Sequence, residues 1–167
     1  MTNSLTIGSE SLPRFQTGMI DALNAEIALG TVSNASDAVQ WLGYTYLFVR
    51  MKKNPFVYGS SRTLSIGISR DGLRDDPELG RKRNELATRA AQILADAQMI
   101  IFDRQNGAFT ITGLGRIAAK YYIRHQSIET FNKEFRPKMS EADVLKVLSM
   151  STEFDQIQTR ESEIRSL

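Results

Sequence analysis

The chain contains no cysteine, a single histidine, a single tryptophan and four prolines, and none of its apolar runs approaches the roughly 20 residues needed to span a bilayer. Without cysteine there is no disulfide framework, no thiol catalysis and no cysteine-ligated zinc, a composition compatible with a reducing compartment. One histidine, His125, does not make a transition-metal ligand set and reads as a helix-end residue. No glycine-rich loop ends in Gly-Lys-Ser/Thr, so nothing cradles a triphosphate. There is also no large excess of one charge. The 21 Lys and Arg nearly balance 19 Asp and Glu, leaving +2, and any basic patch must be local. The opening MTNSLTIGSESLP lacks the basic stretch and apolar core of a secretory signal. These absences lead to the expectation of a soluble intracellular protein, cytoplasmic or nuclear, with no membrane partner.

What is present is apolar helix. With 41% hydrophobic residues, 167 positions suffice for one domain, or a domain with an appended piece. Leu23 to Pro55 reads as parts of two amphipathic helices, and Ala38 to Met51 is apolar on nearly every side, with Trp41, Tyr44 and Phe48 on one stripe and Leu42, Thr45 and Val49 on another. A helix of that kind is expected to be covered all round. Residues 1–14 read as a flexible lead-in. Phe15, Met19, Leu23 and Ile27 then recur at helical spacing up to a C-cap at Gly30. Asn34 or Ser36 can cap the second helix, and this is also the better reading of the sequon they form, Asn34-Ala-Ser36. Residues 56–75, with three glycines and several serines, predict a long loop.

Asp76-Pro77-Glu78 signals a third helix running to about Ala97 on a stripe of Leu79, Leu86, Ala90, Ile93 and Ala97. The period then changes. Met99 to Asp103 and Ala108 to Thr112 predict two strands joined by a turn in which Asn106-Gly107 supplies positive backbone angles. Thr112 caps a further helix over Leu114 to Ile123, another covers Ile128 to Phe135 before Pro137, and Ser140 with Asp143 opens a last one from Val144 to Met150. The predicted fold is mainly α: a winged helix over residues 15–113, made of three helices plus a β-hairpin wing, followed by additional short helices over 114–167. The polar end, RESEIRSL, carries no stop signal and reads as a chain continuing into a larger protein.

Three constellations compete for a function. Gly113-Leu-Gly115-Arg-Ile-Ala118 fits the dinucleotide pattern G-x-G-x-x-A, but its strand belongs to an antiparallel hairpin and no second parallel strand follows, so a tight turn and close packing are the better explanation. Arg81, Lys82, Asn84, Arg89 and Gln92 give the third helix the side chains of a DNA-reading face. Asp75, Asp76, Glu78 and Glu85 crowd the same turns and would repel phosphate. Tyr121 and Tyr122, beside Lys120 and Arg124, could stack on bases, although an aromatic pair at helical spacing is more often core. The candidate contact residues, for nucleic acid or a neighbouring domain, are therefore Arg81, Lys82, Arg89, Lys120 and Arg124. No catalytic, cofactor-binding or metal-binding residue is assigned.

Four blocks carry a family resemblance: LNAEIALGTVSNASDAVQWLGYTYLFVRMKKNP, DPELGRKRNEL, TGLGRIAAKYYIRHQSIETFN with its Phe131-Asn132 turn, and SEADVLKVLSMSTEFDQIQTRESEI. From Leu23 onward the chain resembles the winged-helix region and the start of the helical bundle in Ski-two-like superfamily-two helicases, most closely the N-terminal cassette of the large tandem-cassette type. The loop GSSRTLSIGISRDGLRD looks longer than the family's connection. The resemblance implies that residues 114–167 are the first helices of a truncated Sec-sixty-three-like bundle. It implies a non-catalytic module of an ATP-dependent RNA or DNA helicase, whose ATP and Mg sites lie in RecA-like motor domains outside this chain. Its implied partners are those motor domains, the rest of the bundle, and single-stranded nucleic acid in the intact helicase. The alternatives are a free-standing winged-helix DNA-binding regulator and a protein-interaction scaffold. Exposed faces stripped of their neighbours are expected to permit self-association.

Overall fold

The computed structural model describes residues 11–53, 76 and 78–155, so the loop expected at 56–75, the first ten residues of the lead-in and positions 156–167 lie outside the described residues. Helix α1 spans Ser11–Leu29, starting before Phe15. It ends where Gly30 takes φ +81°. The Gly30 amide donates to the Ile27 carbonyl and the Thr31 amide to that of Glu26, which closes the last turn on the expected glycine. Met19, Ile20, Leu23 and Ile27 are buried.

The single second helix is not observed. Helix α2 covers Ala35–Gly43 and α3 covers Tyr46–Lys53, with a break at Tyr44 and Thr45. Asn34 caps α2 by accepting the Asp37 amide at 2.9 Å. At the break, the Thr45 hydroxyl donates to the Leu42 carbonyl at 2.7 Å, a local bond that competes with helix continuation, and Gly43 adds its poor helix propensity. The break turns Leu47, Phe48 and Met51 onto the core and leaves Tyr44, Tyr46 and Val49 exposed. The expectation of a helix covered on all sides is thus wrong, because periodicity over Ala38 to Met51 averages two helices with different axes. Arg83 lies over this corner, its guanidinium 5.0 Å from the Phe48 ring centre and donating to the Val39 carbonyl at 3.3 Å.

Helix α4 spans Gly80–Asp96, beginning later than expected. Asp76 still performs the capping, accepting the amides of Gly80 and Arg81 at 2.8 Å each. Leu79, in the left-handed region at φ 51°, is driven into the core by this turn. Leu86, Ala87, Ala90, Ala91 and Leu94 are buried, a broader face than the predicted stripe, while Ile93 is only half-buried.

Strands β1 (Ile100–Phe102) and β2 (Phe109–Ile111) form the antiparallel wing in the register Ile100 to Ile111 and Phe102 to Phe109. In the turn between them Gly107 alone among the described residues of that loop has positive φ, at 73°, and its amide donates to the Asp103 carbonyl. Asn106 acts instead through its side chain, accepting the Ala108 amide. Ser33 and Asn34, ahead of α2, add a short third rung: Asn34 bridges Ala108, and the Phe109 amide donates to the Ser33 carbonyl at 2.8 Å.

After the wing come α5 (Gly113–Tyr121), α6 (His125–Glu134) and α7 (Glu141–Ser149). Ser140 and Asp143 form the expected capping box. Phe131 and Asn132, expected in a turn, lie inside α6. Thr112 caps α5 by accepting the Gly115 amide at 3.1 Å, and its hydroxyl also reaches the Gln98 and Met99 carbonyls at 2.8 Å. Replacing Thr112 with alanine is expected to cost about 1–2 kcal/mol in a urea titration, and serine should retain most of it. Among the described residues, no helix is long and apolar enough to cross a membrane.

Candidate interdomain joint

The most polar part of the interior lies where the winged helix meets the helices that follow. Helix α1 supplies two of its groups, Asp21 and Asn24, two positions before and one position after the buried Leu23. Asn24 is almost wholly buried and donates from Nδ2 to the Gly115 carbonyl at 3.0 Å. Its Oδ1 has no protein partner and sits 3.0 Å from the point where a β-carbon on Gly115 would lie. The same β-carbon would meet the Met99 carbonyl oxygen at 2.1 Å. Gly115 is therefore the point at which α1, the base of β1 and α5 touch. Close packing explains this glycine; Gly113 has open space around it and neither takes positive φ among the described backbone.

Helix α6 begins at the joint and carries no capping side chain of its own. Two carboxylates from elsewhere serve its N-terminus, where free amides and the helix dipole favour negative charge. Asp21 of α1 accepts the His125 amide at 2.8 Å and lies 2.8 Å from His125 Nδ1. Since a carboxylate only accepts, Nδ1 carries the hydrogen. Glu153, beyond α7, accepts the Arg124 amide at 2.8 Å and a hydrogen bond from the Ser127 hydroxyl. Ser127 is fully buried, 2.9 Å from the Thr152 hydroxyl, and its oxygen accepts the Thr152 amide. Further along α6, Ile128 enters the main core, and Asn132 donates to the Ala97 carbonyl at the C-cap of α4 at 2.8 Å. One helix is thus tied to α1 at its start, to α4 near its end, and to the turn after α7 on its outer side.

Burial raises the Glu153 carboxyl, but the hydrogen bonds from the Arg124 amide and Ser127 outweigh it and hold the group below its ordinary value. Asp37 is lowered first by the Ser33 amide, Asp76 first by the Gly80 amide, and Asp143 first by the Ser140 hydroxyl. Each folded-state value is depressed, so each contribution to stability is complete above the ordinary carboxylate range and is lost as pH falls through the lower folded value. The urea midpoint should therefore hold steady from about pH 7 to about pH 5 and decline below about pH 4. Glu153→Gln should flatten part of that decline; an unchanged slope would remove Glu153 from the account.

The contact residues expected from sequence fall in two places. Arg81, Lys82 and Arg89 lie on α4, where Lys82 pairs with Glu85 at 2.7 Å and Asp76 occupies the helix start. Gln92 is held by Asp96 and Arg104. Lys120 lies in the last turn of α5, its ammonium 5.4 Å from the Tyr121 ring centre, and Arg124 precedes α6, its guanidinium reaching the Thr152 carbonyl at 3.4 Å. Tyr121 and Tyr122 are 63% and 90% exposed, so the core placement expected for them is wrong: the left-handed Tyr122, φ 57°, ends the helix and turns the pair outward. Asp21, Asn24, Ser127 and Glu153 were not singled out from sequence, and Asn132 was read only as part of a turn. The sequence places this helix from Ile128, directly behind Ser127, whereas it starts at His125, so no missing cap was visible to point to a distant carboxylate.

Four helices, α1 to α4, and a hairpin with its short third rung, continued by helices strapped to α1 and α4, define a winged helix joined to the opening of a helical bundle. Residues 12–96 match the family described as Winged Helix-turn-helix domain, and residues 111–167 match the Sec63 Brl domain. The chain belongs to that winged-helix family and corresponds to the winged-helix and Sec63 region of Ski-two-like helicases, not to a motor domain. It is 44% identical over 154 residues to the RQC trigger complex helicase SLH1 of Saccharomyces cerevisiae, covering 92% of this chain and 7% of the yeast protein. It is 42% identical over 170 residues to the Activating signal cointegrator 1 complex subunit 3 of Homo sapiens, covering all of this chain and 7% of the human protein. The subunit of the same name in Dictyostelium discoideum is 45% identical over 166 residues, covering 98% and 7%. The chain spans about 7% of the length of these relatives.

Proposed function

We propose that this chain is a structural module of an intracellular, cytoplasmic or nuclear, ATP-dependent helicase, in which the winged helix packs on RecA-like motor domains and passes their movement to the helical bundle around single-stranded RNA or DNA. The observation that carries the reading is α6, anchored at Asp21 on one side and at Ala97 on the other, which makes the two parts one mechanical piece. ATP and Mg would be held by the motor domains. The residues here do not fit them: there is no phosphate-cradling Gly-Lys-Ser/Thr loop, and among the described residues no group of three His, Asp or Glu could hold a metal. The relatives' names add ribosome quality control, through the RQC trigger complex, and the activating signal cointegrator complex as the settings in which such a helicase acts. As proposed contacts, Lys120 and Arg124 face outward near the joint, whereas the α4 group of Arg81, Lys82 and Arg89 shares its turns with Asp76 and Glu85, which disfavours DNA reading.

The test uses the intact polypeptide with Asp21→Asn, which keeps the shape and removes the charge. ATP hydrolysis stimulated by nucleic acid should change less than about twofold while the rate of unwinding falls about fivefold or more, a loss confined to coupling. Equal losses in both, or in neither, contradict the proposal.

A further inference from the structure

The turn at the tip of the wing carries the pair Asn106-Gly107, and its hydrogen bonds bring a nucleophile and an electrophile together. Asn106 is exposed, and its Oδ1 accepts the Ala108 amide at 2.8 Å, so the side chain folds back along the main chain and closes a ring through Cγ and the Gly107 nitrogen. Gly107, at φ 73°, has no β-carbon to shield that nitrogen. The Ala108 amide also polarises the side-chain carbonyl and stands ready for negative charge on Oδ1. One contact opposes attack: the Gly107 amide hydrogen is engaged by the Asp103 carbonyl at 2.8 Å. That bond lies at the exposed end of a two-stranded sheet, where local opening costs little. The other asparagines among the described residues are held differently. Asn24, Asn84 and Asn132 lie inside helices, and each precedes a residue with a β-carbon. Asn34 precedes Ala35, and its amide group is engaged at both ends by Asp37.

We propose that Asn106 is a site of spontaneous deamidation, and that its isoaspartyl product releases the wing tip from α2. The Gly107 nitrogen gives its proton to water and bonds to Asn106 Cγ; the bond from Cγ to Nδ2 then breaks, and Nδ2 takes a proton from water and leaves as ammonia. The succinimide that remains is opened by a water molecule. Cleavage at the Cγ side gives aspartate, whose carboxylate still accepts the Ala108 amide. Cleavage at the main-chain carbonyl gives isoaspartate, in which the chain runs through Cβ and Cγ, one methylene longer, and the carbonyl that accepted the Ala108 amide has become part of the main chain. The turn has no slack for this. The Gly107 carbonyl accepts the Ala35 amide at 2.9 Å, and a β-carbon on Gly107 would stand 3.6 Å from that of Ala35. Just beyond, Asn34 bridges Ala108 and the Phe109 amide reaches the Ser33 carbonyl at 2.8 Å. Lengthening the main chain ahead of Gly107 moves its carbonyl off Ala35 and loosens this third rung, and the new carboxylate adds a negative charge to the turn that already holds Asp103. The inference is independent of the helicase reading.

The 167-residue chain is incubated in mildly alkaline buffer, folded or in concentrated urea, and peptide mapping separates asparagine, aspartate and isoaspartate at each position over time. In the folded chain, products at position 106 should accumulate several-fold faster than at Asn24, Asn34, Asn84 or Asn132, and in urea faster still. Chain enriched in the isoaspartyl form should melt about 2–8 °C lower than fresh chain, the shift expected for losing one or two backbone hydrogen bonds at this size, with faster hydrogen exchange at the Ala35 amide. Freshly made Asn106→Asp should melt within about 2 °C of the parent. Conversion at 106 in urea but not in the folded chain, or conversion no faster than at the other four asparagines, overturns the site. An isoaspartyl chain with unchanged melting and Ala35 exchange, or an Asn106→Asp chain that melts equally low, overturns the release of the wing tip through the lengthened main chain.

Discussion

Replacing Gly115 with alanine is expected to destabilise the chain by about 2–3 kcal/mol, the upper range for forcing a methyl group into a filled core. The new carbon would stand 2.1 Å from the Met99 carbonyl oxygen, 2.6 Å from Ile111 Cδ1 and 3.0 Å from Asn24 Oδ1. The first of these is backbone and cannot swing aside. Met99 O is also the acceptor for the Thr112 amide and hydroxyl, so moving it strains the cap of α5 and the end of the wing together. Gly113→Ala is the internal control. Nothing lies within 4 Å of a β-carbon there, and alanine favours a helix over glycine by up to about 1 kcal/mol. The same substitution two residues apart should therefore change the urea midpoint in opposite directions, and similar effects at both sites would refute the contact at Gly115.

Leu23→Ala should have an effect at least as large. Leu23 is 1% exposed on α1, the helix against which both α4 and α5 pack, so its removal leaves a void under both halves. Large-to-small changes of this kind cost about 2–5 kcal/mol. At about 2–4 °C per kcal/mol for a chain of this size, the melting temperature should drop by roughly 4–20 °C. Leu145→Ala, at a leucine 67% exposed on α7, should stay within about 0.5 kcal/mol of the parent. Calorimetry distinguishes the two cases directly.

Much of the architecture was legible because local chemistry and global fold agree. Gly30 ends α1, Asn34 caps α2, Asp76 and Thr112 cap α4 and α5, and Ser140 with Asp143 opens α7, each by a bond that spans only a few residues. The break between α2 and α3 was hidden because Gly43 and Thr45 are each tolerated in a helix. Only their combination with the burial of Leu47 and Met51 in the core decides it. The joint was less legible still. Asp21 and His125 are 104 positions apart, as are no residues joined by a cap or a turn, and nothing local marks Asp21 as the carboxylate that serves another helix. Tyr121 and Tyr122 show the same limit in reverse: helical spacing places side chains on a face but does not say which face is covered.

The central claim is that the winged helix and the first bundle helices move as one rigid body. The most direct measurement places spin labels at the exposed Thr88 of α4 and Ala142 of α7 in the intact polypeptide and records their distance with and without bound nucleotide. One narrow distance that does not change with nucleotide, and that broadens in Asp21→Asn, is the predicted result. A distance that shifts or splits when nucleotide binds would contradict it, placing the hinge inside the joint.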